Sequence, residues 1–138
     1  MATLFTRIIS GDLPGRFVWR DDICVAFLSI NPLRPGHTLV VPRAEVDHWL
    51  DLDVDVNAHL MRVAHEIGSA QMAAFSPARV GLIIAGMEVP HVHVHVVPID
   101  AERDLSFANA DLAPAPEALD DAADRIRASL AARGNAIQ

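Results

Sequence analysis

The sequence predicts an α+β domain: a mainly antiparallel five-stranded sheet with a short N-terminal helix, a central helix and a C-terminal helix. Three observations predict it. The hydrophobic period switches in the order helix, three strands, helix, two strands, helix. The strands are not separated by the regular crossover helices that a parallel sheet requires. The 138 residues, 51% of them apolar, suit one compact domain with a real core.

Each element has its own signal. Leu4, Phe5, Ile8 and Ile9 recur at helical spacing, and Gly11 follows as a stop. Phe17-Val18-Trp19 and Ile23 to Leu28 read as a hairpin turning at Asp21-Asp22. Asn31-Pro32 and Pro35-Gly36 mark a loop before the strand His37 to Pro42. From Asp53 to about Phe75, Val56, Leu60, Val63 and Ile67 fall on one helical face, and Ser76-Pro77 end the helix. Val80 to Ala85 is a continuous apolar strand suited to the middle of a sheet. After the loop Gly86 to Pro90 comes the last strand, Val92 to Ile99. Asp100 to Ala115 is mixed in composition and reads as loop. Glu117 to Arg133 reads as a helix, with Leu119, Ala123, Ile126 and Leu130 on one face and Gly134 as its stop. The domain is thus 1–138, with a core over about 1–100 and an extension with its helix over about 101–138.

The bulk properties narrow the function. A net charge of −7 argues against a general nucleic-acid surface, which needs a basic stripe, but not against a small phosphate ligand held by local donors. No apolar run is long enough to span a bilayer, and Met1 to Gly11 lacks the pattern of a signal peptide, so a cytoplasmic protein is expected. The single Cys24, between Ile23 and Val25, reads as a buried, inert thiol. A thiolate zinc site has no ligand set.

One run stands apart: His91-Val92-His93-Val94-His95-Val96-Val97. In a strand, alternate side chains share a face, so three imidazoles would line one groove while the valines anchor the core. Neighbouring histidine Cα atoms would lie roughly 6.5–7 Å apart. Three readings fit. The histidines could be solvated on a wet face. They could ligate a metal, as His-x-His on a strand suits zinc. Or one could attack phosphorus, since imidazole titrates near neutrality and is a good nucleophile and leaving group.

The run from His91 to Val97 matches the histidine-triad pattern at every position. Phe5 to Pro14 resembles that family's opening helix. Val25-Ala26-Phe27, Asn31-Pro32 and Pro35 to Arg43 resemble its central strands. The resemblance covers about the first hundred residues and implies a nucleotide phosphohydrolase. His93 would attack the α-phosphorus of a purine nucleotide ester or amide, and water would release the monophosphate from a nucleotidyl-histidine. His91 would orient His93, partly through its backbone carbonyl. His95 and His37 would contact phosphate or pass a proton to the leaving group. Phe5, Ile8, Phe27, Ile30 and Leu39 would line the base and ribose pocket, although core packing explains such residues equally well. The resemblance implies no metal or other cofactor. It also implies a homodimer, its sheets joined across a two-fold axis and its central helices packed together.

Three departures from the family pattern concern the substrate. Ser29 stands where relatives carry Asp or Asn for the ribose hydroxyls. Glu88-Val89-Pro90 replaces a Gly-rich loop with hydroxyl and amide donors. Ionised, Glu88 would repel phosphate; protonated, it could donate or orient a histidine; or it is a solvated loop residue. Phe5, Thr6 and Glu45 occupy the neighbourhood where zinc-bearing relatives place paired cysteines and a histidine. Two further classes stay open: a nucleotide-binding regulatory module with little turnover, and a metallo-hydrolase ligated by His91, His93 and His95. His48, His59 and His65 read as ordinary helix or loop residues.

Overall fold

The computed structural model describes residues 2–135. Its elements follow the expected order: α1 (Leu4–Ile9), β1 (Phe17–Arg20), β2 (Cys24–Leu28), β3 (Thr38–Pro42), α2 (Val54–Phe75), β4 (Arg79–Ile83), β5 (Val94–Ile99) and α3 (Pro116–Ala132). The five strands form one sheet in the order β1-β2-β3-β5-β4, and every neighbouring pair is antiparallel.

The helices start and stop for identifiable reasons. Thr3 caps α1, its side chain accepting from the Thr6 N–H, and Gly11 follows at φ 90°. Asp53 caps α2 by accepting from the Asp55 N–H. Ser76 ends that helix in the left-handed region, φ 49°, just before Pro77. No helix of the described residues is long and apolar enough to cross a membrane.

The sheet separates two apolar environments. On one face, Val18, Ala26, Leu28, Val40, Val94 and Val96 are buried with Leu60, Val63 and Ile67 of α2 and Ala123, Ile126 and Leu130 of α3. On the other, Val25, Phe27, Leu39 and Val41 are buried with Phe5 of α1. Period-two alternation in β2, β3 and β5 therefore sends one set of side chains to the helices and the other to the site.

Three expectations need correction. The apolar strand beginning near Val80 is β4, and it lies at the sheet edge rather than in the middle. Its apolar character did not decide the position: Leu82 is 39% exposed. The last strand begins at Val94, not Val92. Val92 N–H donates to Val46 O (2.8 Å), so the chain at His91 to His93 runs against the segment after β3 before joining the ladder. The segment after β5 is not plain loop; it contains two short 3-10 turns, Glu102–Leu105 and Phe107–Asn109. Leu105 packs against Leu33, Val97 and Ile99, and Arg34 pairs with Asp100 and Asp104, which ties this segment across the sheet.

Asp21, at the β1–β2 turn, organises the opposite end. Its carboxylate accepts from the backbone N–H groups of Ile23 and Cys24 and from the Trp19 Nε1–H; His59 Nε2 of α2 lies 2.7 Å away. Despite partial burial, these donors hold its carboxyl below the usual range. Asp21, Cys24 and His59 bring potential metal-binding atoms within 4.8 Å of one another. Burial and the adjacent carboxylate push the Cys24 thiol up, so it stays protonated beside Asp21. The cluster is a hydrogen-bonded corner, and it gives His59 a partner that the sequence did not suggest.

Candidate active site

Strand register assembles the site. Phe27 is paired with Leu39, Leu39 with His95, and His95 with Ile83, so one cross-strand row carries an apolar wall directly to an imidazole. The Phe5 ring of α1 closes over it, 5.7 Å from Phe27 and 4.8 Å from His93 between centroids. His93 and His95 rings are 4.8 Å apart. His37, His91, His93 and His95 are all buried. The alternation inferred for the triad holds: Val92, Val94 and Val96 enter the helix-side core.

The hydrogen bonds fix where the protons lie. A carbonyl can only accept, so the 2.8 Å contact from His93 Nδ1 to His91 O places a hydrogen on Nδ1. In the neutral ring, His93 Nε2 then carries a lone pair. Leu33 N–H donates to His37 Nδ1 (3.0 Å), so the His37 hydrogen sits on Nε2 and is donated to His95 Nδ1 (2.9 Å). His95 consequently carries its hydrogen on Nε2. Two adjacent rings thus present opposite faces: a lone pair on His93 and an N–H on His95.

Burial keeps these rings neutral. It pushes His37 down to about 3, helped by the neighbouring charges of His95 and His93. Burial and His93 push His95 down to about 4. His93 is lowered too, chiefly by burial, while its bond to the His91 carbonyl acts in the opposite direction.

His91 differs from its neighbours. Its Nε2–H donates to Pro42 O (2.7 Å), and the Thr3 hydroxyl lies 2.7 Å from its Nδ1. Both ring nitrogens are therefore engaged by the scaffold. A three-histidine metal centre would require at least one of those contacts to break.

The other expected residues divide. Phe5, Phe27 and Leu39 are brought together, with Ile8 packed against them. Ile30 lies two residues beyond β2 and is 68% exposed. Ser29 lines a cavity of about 280 Å³ with Arg34, His37, Asn109 and the start of α3, and its hydroxyl accepts from the Asn31 N–H. Glu88 is exposed, yet its charge bears on His93. Sequence reasoning missed three participants. Phe107 sits on a 3-10 turn with its ring 5.2 Å from His95, 52% exposed. Thr3 reaches His91 from 88 positions away. The Leu33 backbone N–H sets the His37 tautomer. A lone aromatic in the mixed stretch after β5 was the available signal for Phe107; the other two depend on tertiary contacts.

Known proteins agree with this architecture. Residues 10–102 match the family model described as the HIT domain. An uncharacterised HIT-like protein of Borreliella burgdorferi is 38% identical over 102 residues, covering 69% of this chain and 73% of that protein. An adenylylsulfatase of Arabidopsis thaliana is 29% identical over 114 residues, covering 79% of this chain and 57% of the enzyme. The crystal structure of a zinc-bound histidine triad family protein from Mycobacterium smegmatis superposes with a TM-score of 0.83 at 28% identity, covering 97% of this chain and 96% of that one. Motif, sheet and family match coincide on the same residues, and the chain belongs to the histidine-triad (HIT) family.

Proposed function

We propose that the protein is a nucleotide phosphohydrolase that cleaves a phosphoramidate or phosphoanhydride bond at the α-phosphate of a purine nucleotide. The observation that carries this reading is the pair of complementary tautomers: an Nε2 lone pair on His93 beside an Nε2–H on His95. His93 Nε2 attacks phosphorus, and a P–N bond forms as the bond to the leaving group breaks. His95 Nε2–H hydrogen-bonds to the departing nitrogen or oxygen, which leaves with a proton taken up from water. Water then attacks the nucleotidyl-histidine, its proton passes to solvent, and the P–N bond breaks to release the monophosphate. His37 holds the His95 hydrogen at Nε2 throughout. Phe5, Ile8, Phe27 and Leu39 form the apolar wall for base and ribose.

The adenylylsulfatase relative supports adenine nucleotides as a starting class. We place the protein in the cytoplasm, as a homodimer. The open edge of β4, with Leu82 and Ile84 exposed, supports pairing with a second copy.

Incubation with adenosine 5′-phosphoramidate tests the activity. Wild type should release AMP and show a transient AMP adduct by intact-protein mass spectrometry. His93→Ala should lose both, a fall of at least about 10³-fold in kcat/KM. Absence of AMP release by wild type would sink the reading.

A further inference from the structure

His91 does not reach the groove with a free nitrogen, yet it lies at the centre of the best-connected set of contacts near the site. Two chain segments hold it. The exit of β3 supplies the Pro42 carbonyl, which accepts from His91 Nε2–H (2.7 Å), and Val46 O, which accepts from Val92 N–H (2.8 Å). The start of α1 supplies the Thr3 hydroxyl, 2.7 Å from His91 Nδ1. Glu45 joins the two segments, its Oε1 accepting from the Thr3 N–H at 2.6 Å. The Thr6 hydroxyl and the Thr3 N–H hold the Glu45 carboxyl below its usual range, as expected for a fixed anion.

The direction of each bond matters. Pro42 O can only accept, so the His91 hydrogen is on Nε2 and Nδ1 needs a donor. His91 is fully buried, so no other donor replaces Thr3 without rearrangement. With both nitrogens tied, the His91 ring and the backbone attached to it have one position. The carbonyl of that backbone receives His93 Nδ1–H.

We propose that Thr3 and Glu45 are positioning residues for the reaction: the Glu45–Thr3 clamp locks His91, and through the His91 carbonyl it keeps the His93 lone pair on Nε2, aimed into the groove. The clamp rests on the function proposed above for its catalytic consequence, but its effect on the rings is independent of turnover. Thr3 also caps α1, which carries Phe5 against His93. The two roles separate kinetically. Loss of the cap loosens the Phe5 wall and raises KM; loss of the clamp misaligns the nucleophile and lowers kcat.

The experiment combines imidazole NMR with kinetics on Thr3→Val, Thr3→Ser and Glu45→Ala. Long-range proton–nitrogen spectra of wild type should show His91 protonated on Nε2 and His93 on Nδ1, the His93 hydrogen being slow to exchange with solvent. Thr3→Val should speed that exchange and lower kcat about tenfold or more. Thr3→Ser, which keeps the hydroxyl, should restore both. Glu45→Ala, an exposed change that leaves the core untouched, should move both readouts in the direction of Thr3→Val and serves if Thr3→Val fails to fold. Unchanged His93 Nδ1–H exchange in Thr3→Val and Glu45→Ala overturns the clamp, as does a rise in KM with kcat intact. If wild type turns over no nucleotide, the proposed function fails while the spectra still decide the clamp.

Discussion

His37 Nε2 lies 2.9 Å from His95 Nδ1, and the single hydrogen between them belongs to His37 because the Leu33 N–H occupies its other nitrogen. The state of a residue facing the groove is thus set by a backbone amide on the far side of a second ring.

Replacing His37 should therefore affect leaving-group departure more than phosphate binding. In His37→Phe, His95 is free to carry its hydrogen on Nδ1, and Nε2 becomes an acceptor. For substrates with a poor amine leaving group, kcat is expected to fall by about 10²-fold or more. For leaving groups that depart as stable anions the loss should be much smaller. Steady-state kinetics on a series graded by leaving-group pKa checks this; a uniform loss across the series contradicts it.

The pH dependence follows from burial. His37 at about 3 and His95 at about 4 both lie below the ordinary value of 6.5, and His93 is lowered as well. An unfolded chain would bind protons at these sites before the folded one does. Stability from these histidines is thus complete above about pH 6.5 and is lost as the pH falls through about 4 and then 3. Thermal melts across this window should show Tm falling on the acid side. The acid limb of the activity profile should also lie below 6.5, because His93 keeps its lone pair there. An acid limb centred at 6.5 would refute the lowered values.

Gly36 should resist substitution. It sits at φ 92°, where L side chains are strained, and a Cβ there would meet the Phe75 ring at 2.5 Å. Its carbonyl accepts from Gln71 Nε2 (2.9 Å) and from the Thr38 hydroxyl (2.8 Å). Gly36→Ala is expected to cost about 2–4 kcal/mol in denaturant unfolding, through strain and overpacking together. It should also lower activity, since His37 is the next residue.

Asp21→Asn should separate scaffold from site. It replaces an acceptor-only carboxylate with an amide that cannot satisfy the same donors from Trp19, Ile23, Cys24 and His59. A loss of about 1–3 kcal/mol in stability is expected, with kcat unchanged at temperatures where the variant stays folded. A selective loss of kcat would instead tie this corner to catalysis.

Much of this is legible in the sequence. Alternation of His and Val declares both the face and the core, because the side-chain period of a strand is two and the valines have only one place to go. The helix stops at Gly11 and Ser76-Pro77 were equally direct, being matters of local backbone geometry. Other features were not legible because they depend on distant partners. The apolar run of β4 looks the same at an edge as in a sheet centre. The departure of His91 from the ladder depends on Pro42 and Val46. The engagement of the Ser29 hydroxyl by the Asn31 N–H depends on how the chain turns after β2.

The pairing of Leu39 with His95 and of Val40 with Val94 has a consequence for how this protein can change. Slipping β5 by one position would send isopropyl groups into the groove and imidazoles into the helix-side core. A single deletion between Val92 and His95 therefore threatens folding and chemistry in one event, whereas point substitutions can affect them separately. A one-residue change here needs a bulge to absorb it, as the register shift between Phe17 and Trp19 does in β1. Variation in the reaction is less costly at residues around the triad, such as Glu88 and Phe107, whose positions the ladder does not dictate.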